Sequence, residues 1–325
     1  MTDPDRTSAF DAHAVDREAS VVMKRGLRLI TDATPAAIAE ALECFDQAIE
    51  LRRDLPIDEV PQFRYGLAAA WLNRGDALAR LGDPKSMSAA LDAYNQGIGV
   101  AAALPLEDDP RYPRRLAIAH QNRGLILFAH GGPNVAAAVG AFTDAIAILD
   151  SDYSAAIDDR QHLRAVVWMN LANAHASLAD LASAGRARDA ARHAIDLVKD
   201  EEQTNPAAAE VALAARHVLC QAVARRLSST ETTDQPTADD IHEATDVADD
   251  GLSVARRWEQ KGVTRFRGIA YDLFRFGARV YAIYQPQFLG EFIEDNMDPA
   301  GSSREYVDSP EMRGAAAEAI GYLRE

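Results

Sequence analysis

Apolar positions along this chain keep a helical period, and over a longer stretch the pattern repeats. Ala41, Phe45 and Ala48 lie four and three residues apart, which puts them on one face of a helix. Ala90, Tyr94 and Gly97 reproduce that spacing. So do Ala138, Phe142 and Ala145, then Ala187, Ala191 and Ala194, then Ala244, Ala248 and Gly251. Small residues flanking a ring let two helices approach while the ring fills the space between them. A second frame precedes each of the first four. Trp71-Leu72-Asn73-Arg74-Gly75 is matched by His120-Gln121-Asn122-Arg123-Gly124 and, upstream, by Met23-Lys24-Arg25-Gly26, so Gly26, Gly75 and Gly124 stand at intervals of 49. A fourth copy, Trp168-Met169-Asn170-Leu171-Ala172, follows after 48. The connectors Leu55-Pro56-Ile57-Asp58 and Leu104-Pro105-Leu106-Glu107 share one phase as well. Such a fixed period predicts stacked supersecondary units, none able to bury its apolar face alone.

Local punctuation divides the pattern into helices. Thr34-Pro35 opens one, with threonine as N-cap and proline in the first turn. Gly82-Asp83-Pro84 and His130-Gly131-Gly132-Pro133 read as turns between paired helices, and Asn205-Pro206 as a further start. Residues 228–236 have no apolar period and are expected to form a loop, after which Thr237 and Asp240 have capping-box spacing. Phe266, Tyr271, Phe274, Phe276, Tyr281, Tyr284 and Phe288 crowd a short C-terminal stretch. Residues 285–310 read as irregular and acidic, with helix starts at Ser302/Glu305 and Ser309-Pro310 and a last helix ending near Leu323. The expectation is an all-α fold, an α-α superhelix (solenoid) of about six antiparallel helix pairs. An unordered tail over 1–15, repeats over 16–261 and divergent capping helices over 262–325 complete it.

The two frames together resemble the tetratricopeptide repeat family. Trp71, Gly75 and Leu78 fill that family's first-helix positions, and Ala90, Tyr94 and Gly97 its second-helix positions. The resemblance is good over about residues 19–200 and weaker to 260. Two features depart from it. The period is near 49 instead of about 34, and arginine replaces the usual leucine at Arg25, Arg74 and Arg123.

Composition narrows the partners. Alanine abounds and β-branched runs are rare, which suits helices. Fifty acidic residues against 34 basic give a net charge of −16. That field repels phosphate backbones, so neither nucleic acid nor a membrane surface is an expected partner. Basic or neutral partners are favoured, although acids spread over a solvated face would have no such role. Cys44 and Cys220, the only cysteines, read as small buried hydrophobes. The acidic start lacks the apolar core of a signal peptide, and no uninterrupted apolar stretch would span a bilayer. The expected location is cytoplasmic.

No catalytic constellation emerges, so no enzyme activity, cofactor or metal is expected. The eight histidines form no His-Glu-x-x-His or Cys/His cluster. His120 and His217 share a frame with Trp71 and Trp168, which suggests a packing slot for a flat ring. His130-Gly131-Gly132-Pro133 lacks the Lys-Ser/Thr of a phosphate loop, and pairs such as Asp108-Asp109 and Asp249-Asp250 read as solvated acids. The functional candidates are one row of asparagines and one of arginines. Asn73, Asn122 and Asn170 share a phase, with Lys24 at the same position in the first unit. Asp76 and Asn173 lie three residues further on, where Leu125 stands in the third unit. The resemblance implies that this phase lines a concave groove and bonds a bound peptide's backbone or terminal carboxylate; amides suit that task. The competing reading is surface or inter-repeat bonding. Arg25, Arg74 and Arg123 read as ties to acids on adjacent helices, such as Asp46 or Asp144, ahead of a ligand-facing ladder. The expected function is a non-enzymatic scaffold holding a peptide or protein. The alternative is a ligand-sensing array with a pocket among the C-terminal aromatics, tested at Phe274 and Tyr281. The aromatic segment reads first as a closing core, and as a homo-oligomer surface if exposed.

Overall fold

Prolines and short polar side chains set the helix starts. The computed structural model describes residues 11–228 and 237–297, with positions 314, 315, 317 and 318. Pro35, Pro61, Pro84 and Pro206 stand in the first turn of their helices, where the missing N–H costs nothing. Thr34, Asp83, Asp180 and Asn205 cap helices by accepting backbone N–H bonds. Thr237 and Asp240 form the reciprocal box, with aspartate in the place glutamate usually takes. Gly82, at φ 72°, ends its helix in the left-handed conformation that glycine adopts without strain.

The described residues form helices, with short 3₁₀ turns and no strand. They fall into two units, residues 1–160 and 161–325. The first holds α1 (Ala12–Ile30), α2 (Pro35–Arg53), α3 (Pro61–Leu81), α4 (Pro84–Ala101), α5 (Arg111–His130) and α6 (Asn134–Asp150). Within it α1 pairs with α2, α3 with α4 and α5 with α6, and α1, α3 and α5 lie side by side. Leu55 and Leu104, the recurring connector residues, are buried. The second unit holds α7 (Arg160–Ala176), α8 (Leu181–Val198), α9 (Pro206–Leu227), α10 (Ala238–Gln260), α11 (Arg267–Tyr284) and α12 (Leu289–Met297). There α8 packs on α9, α9 on α10, α10 on α11 and α11 on α12. These are the stacked helix pairs that the periodicity predicts.

One contact explains the recurring glycine. A Cβ on Gly26 would lie 2.7 Å from Phe45, on Gly75 2.8 Å from Tyr94, and on Gly124 2.5 Å from Phe142. Each ring from the second helix of a pair rests on bare backbone of the first, and Phe45, Tyr94 and Phe142 are at most 2% exposed. Gly277 of α11 and Phe292 of α12 repeat the arrangement at 2.6 Å.

Three boundaries differ from expectation. α1 begins at Ala12, capped by the Asp11 carboxylate, so the predicted 1–15 tail reaches too far. Residues 285–297 are not irregular: a 3₁₀ turn at Pro286–Phe288 leads into α12, whose Phe292 stacks on Phe274 at 5.5 Å. The expected loop over 229–236, the starts at Ser302 and Ser309, and the last helix to Leu323 lie outside the described residues. α9 alone among the described helices has the length and apolar composition to cross a bilayer, and it is mostly buried, against α8, α10 and α11.

Candidate binding faces

The asparagine row is not a row of free amides. Asn73 on α3 is 8% exposed, and its Nδ2 points at the Met23 sulfur of α1 at 3.9 Å. Asn170 on α7 is also 8% exposed. Both are buried in the helix packing, so they are not the free groove-lining amides the phase predicts. The physical reason is the neighbouring first helix. It covers the flank of α3 on which Asn73 projects, and helical phase alone cannot show which flank a neighbour will cover. Asn122 on α5 is half-buried and donates Nδ2 to Asp76 Oδ1 at 3.0 Å. Asn173 donates to the Met169 sulfur at 3.0 Å on its own helix.

Asp76 is the centre of a small polar cluster. Tyr94 donates its hydroxyl to the same Oδ1 at 2.6 Å. Burial pushes the Asp76 carboxyl above its usual range, against the opposing pull of Tyr94, Asn122, Arg115 and Arg80. Burial, reinforced by the Asp76 charge, likewise raises the Tyr94 phenol. Beside this cluster the half-buried Arg115 of α5 lies 5.3 Å above the Tyr65 ring of α3 and donates to its hydroxyl at 3.2 Å. Arg111 lies over the same ring at 5.6 Å, oriented by the Asp109 carboxylate. Leu27 of α1 and Leu125 of α5 occupy the Asp76 phase in their own units and are 45% and 38% exposed. Lys24 and Arg28 border an open apolar hollow on α1 with Val21 and Leu27. The first helices of the N-terminal unit thus carry exposed leucines, an aromatic platform and several cations.

The arginine row splits by unit. Arg74 donates Nε to Asp46 Oδ1 of α2 at 2.6 Å, the inter-helix tie expected of it. Arg25 stands 3.8 Å from Glu40. In the third unit Asp144, the acid that the pattern offered to Arg123, lies 3.4 Å from His120 Nδ1 without a hydrogen bond between them. Burial lowers the His120 imidazole below its ordinary pKa despite Asp144, and Arg123 adds to the lowering. The flat-ring slot holds at Trp168, which stacks on His193 at 4.8 Å.

The C-terminal aromatics divide between core and cavity. Phe266, Phe274 and Phe292 are buried together, and Tyr281 donates to Asp249 Oδ2 at 2.8 Å. Phe274 and Tyr281, singled out in the sequence as pocket residues, therefore belong to the packing. Phe276 and Tyr284 instead face a cavity of about 450 Å³ between α9 and α11. Its wall includes Leu227, Val280 and Ile283, with Arg275 and Arg279 beside them. Sequence reasoning missed these two arginines. The available signal was their spacing of one helical turn among apolar residues at the same phase.

Both cysteines are buried thiols, and burial pushes the Cys220 thiol up. Among the described residues no group of three His, Cys, Asp or Glu side chains is placed to hold a metal ion.

No protein-family model matches the chain, and no curated protein sequence matches it. Solved structures similar to it include the crystal structure of BtubC (BKLC) from P. vanneervenii. That likeness has a TM-score of 0.45 and 16% identity, and it covers 78% of this chain and 93% of the other. A de novo designed helical repeat protein, DHR64, is similar at a TM-score of 0.26 and 12% identity, over 66% of this chain and 99% of the other.

Proposed function

We propose that this chain is a non-enzymatic scaffold of tetratricopeptide-like repeats that holds an extended peptide segment of a partner protein. The binding surface is the first-helix face of the N-terminal unit, built from α1, α3 and α5. The observation that carries this reading is the Arg115–Tyr65 station. A half-buried guanidinium held over a ring and bonded to its hydroxyl is pre-oriented, so little side-chain entropy is lost when it engages a carboxylate. Lys24, Arg28 and Arg80 extend the same positive character, while the charge of Arg111 is offset by Asp109. The exposed Leu27 and Leu125 offer apolar anchors for alternate side chains of an extended chain. Asp76, held as a costly half-buried carboxylate, suits a donor from the peptide backbone. The partner segment is accordingly acidic with interspersed apolar residues, and a cytoplasmic setting fits a protein with two free thiols.

Panning a randomised peptide display library against the full chain tests this. Enriched peptides should carry Asp or Glu beside Leu, Ile or Phe. Their affinity should fall about tenfold with Arg115→Ala, as expected for one charge-assisted bond. Circular dichroism of the variant should match that of the parent. Enrichment of basic peptides, or binding indifferent to Arg115→Ala and Leu125→Ser, would remove the reading.

A further inference from the structure

The second unit contains a cavity that the peptide face does not use. It lies between the end of α9 and the outer face of α11, and its volume, about 450 Å³, falls in the range of single small-molecule sites. Leu227, Phe276, Val280 and Ile283 give it an apolar wall, while the Tyr284 hydroxyl bonds the Leu227 carbonyl at 3.4 Å. Ile283 is 50% exposed, a large apolar side chain left half in water beside an apolar hollow. Arg275 and Arg279 stand one turn apart on α11 and both line the cavity. Asp272 lines the cavity as well, but it stands 3.6 Å from His217, so Arg275 and Arg279 are the groups in the wall suited to an anionic head group. A carboxylate already stands there: Glu318 lies 3.9 Å from Arg275 at the cavity wall.

We propose that this cavity binds a small amphipathic carboxylate of the fatty-acid type. Its chain lies along Val280, Ile283 and Phe276, and its head group sits on Arg279 and Arg275, where it competes with Glu318. The volume favours one such molecule over a helix of a partner, whose side chains would need a longer trough. The proposal is independent of the peptide face, which belongs to the other unit.

Isothermal titration of the full chain with decanoate, below its micelle concentration, tests the assignment, with decanol and decyltrimethylammonium as controls. Decanoate should bind and raise the melting temperature, while the alcohol binds at least about tenfold more weakly and the cation does not bind. Arg279→Ala should lose about tenfold in decanoate affinity, and Ile283→Ser should lose affinity for acid and alcohol alike. Glu318→Gln should tighten decanoate, because it removes the internal competitor. Both Arg279 and Ile283 are exposed, so these variants should fold, with helicity read in parallel. Equal affinity for decanoate and decanol would overturn the proposal. So would binding unchanged by both Arg279→Ala and Ile283→Ser, or saturation by an acidic amphipathic peptide with none by decanoate.

Discussion

A single hydrogen in place of a methyl group governs how the three N-terminal helix pairs close. At Gly75 the Tyr94 ring would lie 2.8 Å from an added Cβ, whereas Gly140, on the outside of α6, has nothing within 4 Å. Two opposite outcomes follow from the same substitution. Gly140→Ala should stabilise the protein by about 0.5–1 kcal/mol through helix propensity alone. Gly75→Ala should destabilise it, because overpacking costs of about 1–3 kcal/mol exceed that gain. Tyr94→Ala, which empties the slot, should cost about 3–5 kcal/mol, and in a Tyr94→Leu background the Gly75→Ala penalty should shrink. Thermal or urea denaturation measures all four; a stabilising Gly75→Ala would mean the ring moves aside freely. Asp76 gives a second residue-scale expectation. Its folded-state carboxyl is raised, so burying the charge costs stability above that pKa, and the cost is relieved as pH falls through it. Asp76→Asn keeps an acceptor for Tyr94 and Asn122. The variant should therefore melt higher than the parent at pH 7, with the advantage fading toward pH 4. A variant less stable at pH 7 would show that the charge itself is stabilising there.

At the scale of elements, the helices and their caps could be read directly, because N-cap side chains, first-turn prolines and the repeated Ala–ring–small spacing are local signals. Two elements were not legible for stated reasons. α12 was hidden because Phe292 follows Gly277 by 15 residues, whereas Phe45 and Tyr94 follow their glycines by 19, so the shared period conceals the shared contact. The packing role of Asn73 and Asn170 was hidden because an amide on a helix has the same phase whether water or a neighbouring helix faces it. The C-terminal pair also yields an element-scale expectation. Phe292 stacks on Phe274, lies 4.8 Å from Tyr281 and fills the space over Gly277. Phe292→Ala should cost about 3–5 kcal/mol locally. Hydrogen exchange should accelerate across α11 and α12 while α1 to α6 keep their protection. Uniform acceleration through the chain would contradict this localisation.

On the scale of the whole molecule, net charge and local charge point in different directions. The net charge is −16, yet the first-helix face of the N-terminal unit carries Lys24, Arg28, Arg80, Arg111 and Arg115. Physiological salt screens charges beyond about 8 Å, so the proposed peptide would respond to these side chains more than to the total. The composition could report only the total. The polarity of the face needed the helices side by side, because Arg115 and Tyr65 meet across 50 positions of chain. The same holds for the C-terminal cavity, whose wall joins Leu227 to Val280 across α10 and the connections on either side of it.

The ring-on-glycine contact also constrains how such a chain can diverge. Neither partner can be exchanged alone without a gap or a collision, so the two positions pass through ancestry as a linked couple. In the fourth unit Ala172 stands at the glycine position and Ala191 at the ring position, and both are fully enclosed. Related sequences should therefore change these two sites together, and a ring set opposite a residue larger than glycine should be rare.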